Sequence, residues 1–304
     1  VKLAAIDIGS NGARMLISSV LHPSATSDKV VFKDVEYIRF PLRLGKDVFK
    51  KQKIGKKKQL QMLKLFQTFT LLMELHEVDD YMALATSAFR EASNGQELAL
   101  WLRRETGINL EIIDGSREAE ILNQIIIKEL DDDKNYLHID VGGGSTELNL
   151  YRKHQKVAAR SFPIGSIREA EESEIPRLQM KTWVEENCKK YCFNEEITAV
   201  GTGGNINKIQ SMLNKEDDRM LTQTDVVRIL DYLNNFSFDE KVNILELNPD
   251  RADTIVPAGN IYLYAMECAR IDKIIAPKLG LKDGMMEVMY KRSLRNRKMP
   301  LLVL

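Results

Sequence analysis

The sequence predicts an α/β protein of two similar domains, each a mixed sheet flanked by helices. Three observations lead there. A chain of 304 residues is longer than one core of ordinary size usually supports. Short apolar runs that end in Asp-x-Gly alternate with stretches of helical periodicity. The order of elements then nearly repeats: DIGSNGARMLI (7–17) lies over DVGGGSTELNL (140–150), each an acidic residue, an aliphatic residue, glycine, small residues and a strand. Two such copies point to two domains facing each other, each presenting a glycine loop to a shared cleft.

The elements follow in order. KLAAIDI opens the chain as a buried strand; ARMLISSVL (13–21) and KVVFKDVEYIRFPLRLG (29–45) are the next two, joined by a turn over 21–28. Apolar residues at helical spacing (Leu60, Leu63, Phe66, Met73) predict a helix over 57–77. DYMALATSAF (80–89) reads as a strand, 95–106 as a helix stopped by TGIN, LEIID (110–114) as a strand and 115–130 as a helix. The acidic, breaker-rich DDDKN (131–135) marks the boundary region, giving domains over 1–128 and 129–283. YLHID, TELNLYR and QKVAARSFPIG are strands again. EITAVGTGG is a late strand feeding a glycine loop and a helix, and IDKIIAP is the last strand. Long helices are expected over 222–247, 250–270 and 283–295.

Composition narrows the function classes. The 44 basic and 44 acidic residues cancel, which argues against a nucleic-acid coat. Local basic stretches remain at 46–58 (KDVFKKQKIGKKK) and 290–298 (YKRSLRNRK). No apolar run approaches the roughly 20 residues that cross a bilayer, and the N-terminus carries no leader pattern. Cys188, Cys192 and Cys268 are too few and wrongly spaced for a disulfide framework or a zinc ribbon. They read as core or surface thiols, and a cytoplasmic location is expected.

The glycine loops carry the chemistry. A loop without side chains lets successive N–H groups point at one anion. A carboxylate beside a phosphate becomes sensible when a divalent cation sits between them, since Mg²⁺ binds through one or two carboxylates, waters and substrate phosphates. Asp7 and Asp140, at the ends of the two repeated strands, are the natural pair, with Glu147 as a third ligand, direct or through water. GTGGN (201–205), with Thr202 and Gly203, follows an apolar strand and precedes a helix, which suits a further anion site. His138 lies inside an apolar strand and reads as a satisfied core histidine. The stripe Met285, Val288, Met289 reads as packing.

AIDIGSN, ATSAFREASN, IIDGSREAEIL, HIDVGGGSTEL, AVGTGGN and LKDGMMEV occur in the order and spacing of the exopolyphosphatase / guanosine pentaphosphate phosphohydrolase family, which the chain resembles from about residue 2 to 290. The resemblance implies two ribonuclease-H-like (actin-like) domains with the active site between them, and a segment 284–304 that returns to the first domain. It also implies removal of the terminal phosphate of polyphosphate or guanosine pentaphosphate with Mg²⁺, the use of Mn²⁺ being left open. Glu118 takes the role of general base. The acidic residue that precedes it in the family is Arg117 here, which is expected to lower the Glu118 pKa. Arg90 matches the arginine that reaches the phosphates, with Thr86 and Ser87 nearby. Ser10 and Asn11 match the first phosphate loop, where Gly12 replaces the family's common serine; Gly143, Gly144 and Ser145 match the second.

The chain ends soon after the second domain and so resembles the short members, which favours short polyphosphate, with the lysines of 46–58 as a binding track. Relatives are often dimers, so a homodimer is an open expectation; neither nucleic acid nor a membrane is expected as partner. Two other classes reuse such loops: an ATP-dependent kinase, and a silent sensor or filament protein of the actin type. A full set of Asp7, Asp140, Glu147 and Glu118 speaks against silence, because a binding protein needs no base.

Overall fold

The computed structural model describes residues 1–22, 30–168, 174–213 and 220–298, with side chains to Leu294. The chain divides into two compact units. One is Val1–Ile125 with the segment that starts at Leu281; the other is Ile126–Gly280.

The first unit holds a five-stranded sheet of β1 (Lys2–Ile8), β2 (Ala13–Leu21), β3 (Val31–Phe40), β4 (Asp80–Ala85) and β5 (Leu110–Ile112) in the order β3-β2-β1-β4-β5. β1 runs antiparallel to β2 and parallel to β4. It is buried along almost its whole length, which is why KLAAIDI reads as a continuous apolar run with no alternation. β3 lies at the edge and is largely exposed. The helices are α1 (Leu44–Lys51), α2 (Lys56–Leu75), α3 (Ser87–Glu91), α4 (Gly95–Thr106), α5 (Gly115–Ile126) and, from the C-terminal segment, α12 (Leu281–Lys298). α12 packs against β1, β2 and β4 through buried Met285, Met286 and Met289, so Met285 and Met289 of the expected stripe are core while Val288 is half-buried. Phe66 and Phe69 of α2 are fully buried, each contributing about 1.5–3 kcal/mol of transfer free energy.

The second unit repeats the pattern. β6 (Asn135–Val141), β7 (Thr146–Arg152), β8 (Gln155–Phe162), β9 (Ile197–Thr202), β10 (Met220–Thr222) and β11 (Lys273–Ile275) form a sheet ordered β10-β11-β9-β6-β7-β8. Its β8-β7-β6-β9-β11 portion matches β3-β2-β1-β4-β5 strand for strand and direction for direction. Helices α6 (Glu174–Tyr191), α7 (Gly204–Met212), α8 (Gln223–Asn234), α9 (Phe238–Asn243), α10 (Pro249–Ala252) and α11 (Ile255–Ala269) surround it. The two-copy α/β class holds.

Several boundaries differ from the sequence expectation. The strand expected over 29–45 stops at Phe40, and Leu44–Lys51 is helical. The strand expected over 80–89 stops at Ala85, because 87–91 turns into α3. The helix expected over 222–247 is two, α8 and α9. Ser237 restarts the chain with a capping box to Glu240, which satisfies the first free N–H groups of α9. Likewise 250–270 is α10 and α11. Most of the turn expected over 21–28, and the end of segment 284–304, lie outside the described residues.

Cys188, Cys192 and Cys268 are free thiols in the second unit and line one cleft of about 740 Å³. Burial first, then the neighbouring Cys192 and Cys268, push the Cys188 thiol up to about 12. At pH 8 that leaves about 10⁻⁴ as thiolate against about 10⁻¹ for an ordinary thiol. Its higher intrinsic nucleophilicity offsets part of the difference, so alkylation should run about thirtyfold slower. In a Cys192→Ser/Cys268→Ser protein the iodoacetamide rate should climb about tenfold per pH unit up to pH 10 without levelling. A plateau near pH 9 would contradict the burial of this thiol.

Candidate functional site

The two glycine loops are built alike. In the first, the Gly9 N–H donates to the Gly12 carbonyl at 3.0 Å; in the second, the Gly142 N–H donates to the Ser145 carbonyl at 2.9 Å. Each loop's carbonyls are then taken by a later segment of its own unit. Arg43 and Gly45 N–H groups bind the Asn11 and Ser10 carbonyls, both at 2.8 Å. Ser166 and Ile167 N–H groups bind the Gly142 and Gly143 carbonyls at 3.0 and 2.9 Å, and the Arg168 guanidinium takes the Gly144 carbonyl. Because C=O and N–H of one planar peptide point in opposite directions, the N–H groups of Asn11 and Gly12 turn away from that segment in the first unit. Those of Gly143, Gly144 and Ser145 do so in the second. These are the residues that the sequence assigned to phosphate, and in each unit the loop carbonyls are the side taken up by the neighbouring segment.

In the first unit Ser10 is buried, and its hydroxyl lies 2.7 Å from that of Ser87, which ties the loop to the start of α3. Gly12 has a packing reason: a Cβ there would come within 3.0 Å of the Phe40 carbonyl, so the family's serine would crowd β3. Arg90, on α3, donates to the Ile113 carbonyl at 2.8 Å and pairs with Glu118 at 3.5 Å. Glu118 sits in the first turn of α5, which Asp114 caps by accepting the Arg117 N–H at 2.8 Å. The Glu118 side chain is only 12% exposed. Arg117 points elsewhere, with its guanidinium 3.2 Å from Glu120 on the exposed helix face. The charge reversal next to the expected base is thus directed to Glu120.

Asp7 is buried, and Arg14 pairs with its carboxylate at 2.6 Å from the cross-strand position. At the equivalent place in the second unit, Asp140 is paired in register with Glu147, a second carboxylate. Like charges directly opposite on a sheet are destabilising. Asp140 accepts from the Thr202 hydroxyl at 2.7 Å and Glu147 from the Ser161 hydroxyl at 2.8 Å. The donor set is oxygen only, on one sheet face, which fits a hard divalent cation; Asp7, held by an arginine, is less suited.

The third loop also belongs to the second unit. Gly203 has φ of 109°, and a Cβ there would meet the Tyr262 hydroxyl and the Val141 carbonyl at 3.2 Å. Tyr262 donates to the Thr202 carbonyl. Burial first, then the nearby Asp140 carboxylate, raise its pKa well above the ordinary value and keep it a donor. His138 is satisfied, as expected of a core histidine, by Thr202 at 2.8 Å and Asn149 at 3.1 Å. Burial first, then Lys156, lower its pKa to about 3.

Sequence reasoning missed the arginines that brace these loops. Arg14 aligns with Glu147 in the repeat and was legible there. Arg168 follows the β8 turn, and Arg251, on α10, donates to the Gly204 carbonyl at the start of α7. Neither carried a local signal, since each reaches its loop from a distant segment.

Two β-sheet units of one topology, each with a glycine loop at the end of its central strand, make up the two-domain α/β architecture of the actin-like class. The sequence model of the Ppx/GppA phosphatase family matches residues 24–293, and the chain belongs to that family. A bifunctional 3-dehydroquinate synthase/phosphatase of Fusobacterium nucleatum is 32% identical over 203 residues, 62% of this chain; the chain spans 30% of that protein's length. Exopolyphosphatase 2 of Mycobacterium tuberculosis is 25% identical across 93% of this chain and 97% of its own. The guanosine-5'-triphosphate,3'-diphosphate pyrophosphatase of Aeromonas salmonicida is 24% identical across 93% of this chain and 58% of its own. Among solved structures, an exopolyphosphatase from Cytophaga hutchinsonii shares the fold with a TM-score of 0.79 at 24% identity, covering 96% of this chain and 98% of that one. Among the described residues, no helix is long and apolar enough to cross a membrane.

Proposed function

We propose that the chain hydrolyses the terminal phosphoanhydride bond of inorganic polyphosphate. The observation that carries this reading is the Arg90–Glu118 pair: a shielded carboxylate held by an arginine, at the start of a helix in the unit that bears the first loop. A hydrolase needs such a base to deprotonate water, and a binding protein does not. Glu118 accepts the proton of the attacking water, while Arg90 and the loop N–H groups compensate the charge spread over the phosphoryl oxygens. Asp140 and Glu147 hold a divalent cation, Mg²⁺ or Mn²⁺, which supplies Lewis-acid polarisation of the phosphoryl oxygens when bound. Asp7 serves with Arg14 to fix the first loop. Guanosine pentaphosphate is the second reading, favoured by the likeness to the Aeromonas protein.

The lysines of 46–58 lie on α1 and the first turn of α2, with Lys53 in the link between the two helices. Burial, followed by Arg43 and Lys50, lowers the Lys46 pKa; burial first lowers that of Lys58, with Lys57 and Arg43 adding and Asp47 opposing. Cations crowded this way suit a polyanion. The apparent KM for polyphosphate should therefore rise steeply with salt, and a salt-independent KM would remove the track.

Gly165 supports the second loop. A Cβ there would lie 2.4 Å from the Gly143 carbonyl group and 2.5 Å from the Gly144 nitrogen, all backbone. Gly165→Ala should lower stability by about 1–3 kcal/mol and raise KM as the loop shifts. Urea unfolding and steady-state kinetics read the two effects. An alanine protein with wild-type stability and KM would contradict this packing.

The reading as a whole is tested by phosphate release with Mg²⁺ from short polyphosphate, long polyphosphate, guanosine pentaphosphate and ATP. Polyphosphate is expected to rank first. Guanosine pentaphosphate ranking first would replace it with the second reading, and release from none would reject hydrolysis.

A further inference from the structure

A chain of polar side chains runs through the core of the second unit to Asp140. Asn149 Nδ2 lies 3.1 Å from His138 Nδ1, His138 Nε2 lies 2.8 Å from Thr202 Oγ1, and Thr202 Oγ1 donates to Asp140 Oδ1 at 2.7 Å. The partners fix every direction. An amide nitrogen only donates, so His138 Nδ1 accepts and the ring proton sits on Nε2. That N–H donates to Thr202 Oγ1, which leaves the hydroxyl proton for Asp140. Asn149 and His138 are each 1% exposed and Thr202 0%, so water does not compete.

The first unit supplies an internal control. In the repeat, His138, Asp140 and Asn149 fall on Ala5, Asp7 and Leu16, and Ala5 pairs with Leu16 as His138 pairs with Asn149. Thr202 stands beside Asp140 across the parallel strands, and the residue beside Asp7 in the same relation is Leu84. Ala5, Leu16 and Leu84 are buried and apolar, so this sheet closes without polar groups at those places. Three buried polar side chains thus stand where apolar ones fit, and their mutual hydrogen bonds are what offsets the cost of burying them. The two copies differ in one more respect: Asp7 faces Arg14, whereas Asp140 faces Glu147. The polar chain thus accompanies the aspartate that has a carboxylate opposite it.

We propose that His138 and Thr202 are positioning residues for a divalent cation: they lock Oδ1 of Asp140 so that Oδ2 and the Glu147 carboxylate are presented together as ligands. Asn149 fixes the tautomer that makes His138 a donor. Outer groups of this kind orient a ligand and sharpen its affinity for the ion without touching it. The inference rests on the reading that Asp140 and Glu147 hold the cation.

Mn²⁺ titration of the intact, metal-free protein, followed by electron paramagnetic resonance, tests it without any assay of turnover. Thr202→Val and His138→Phe should each weaken Mn²⁺ binding about 10–100-fold. Thr202→Ser, which keeps the hydroxyl, should restore near-wild-type affinity, and Asp140→Asn should bind least. Thermal melting of the metal-free proteins shows whether each is folded; should His138→Phe not fold, the contrast between Thr202→Val and Thr202→Ser decides alone. A folded Thr202→Val protein with wild-type Mn²⁺ affinity would overturn the inference while leaving the metal site standing. Wild-type affinity in Asp140→Asn, or no Mn²⁺ binding by the wild type, would overturn the metal reading and this inference with it.

Discussion

Glu118→Gln lowers kcat on short polyphosphate by about 10²–10⁴-fold and leaves KM nearly unchanged, the range that positioned general-base assistance supplies. Glutamine keeps the size of the side chain and a carbonyl oxygen beside Arg90, 3.5 Å away in the native pair. It removes only the ability to take a proton. Since Arg90 is also anchored on the Ile113 carbonyl, it stays in place when its ionic partner is neutralised. The loss therefore belongs to the transition state and not to the ground state. Steady-state rates over a range of polyphosphate concentrations separate the two. A variant with unchanged kcat and a raised KM would make Glu118 a binding group.

Asp140→Asn abolishes high-affinity cation binding, with an effect larger than the 10–100-fold of outer-shell changes, whereas Asp7→Asn leaves it within that range or below. The difference follows from the residue opposite each aspartate. Asp140 has a second carboxylate, Glu147, opposite it in register, whereas Asp7 has the Arg14 guanidinium at 2.6 Å. Removing the Asp7 charge leaves Arg14 without that ion pair, so its main cost falls on stability. Calorimetric Mn²⁺ titration and urea unfolding of both variants sort the effects. Equal loss of Mn²⁺ affinity in the two would return Asp7 to the metal site.

The repeated Asp-x-Gly loops were legible because a buried central strand and a side-chain-free turn are both local features of sequence. The same holds for β1, β6 and α5, whose apolar pattern and caps are contiguous. The strand ends at Phe40 and Ala85 were not, since apolar residues continue past both ends, into Leu42 and Leu44 of the α1 segment and Ala88 and Phe89 of α3. The split between α8 and α9 was written in Ser237-x-x-Glu240, a local signal that the long apolar period masked. For the site, Glu118 and the loop residues could be named from motifs. The bond from Thr202 to Asp140 spans 62 positions, and no pattern in one strand announces it. Arg168 and Arg251 likewise reach their loops from 24 and 47 positions away.

In the proposed reaction, water is the acceptor of the phosphoryl group. Reaction of short polyphosphate with Mg²⁺ in ¹⁸O-enriched water, read by mass spectrometry of the released orthophosphate, tests it directly. One solvent oxygen is expected in each released phosphate and none in the shortened chain, with the labelled product lost in Glu118→Gln. Label in the shortened chain, or phosphate transfer only when ADP or another acceptor is added, would contradict it.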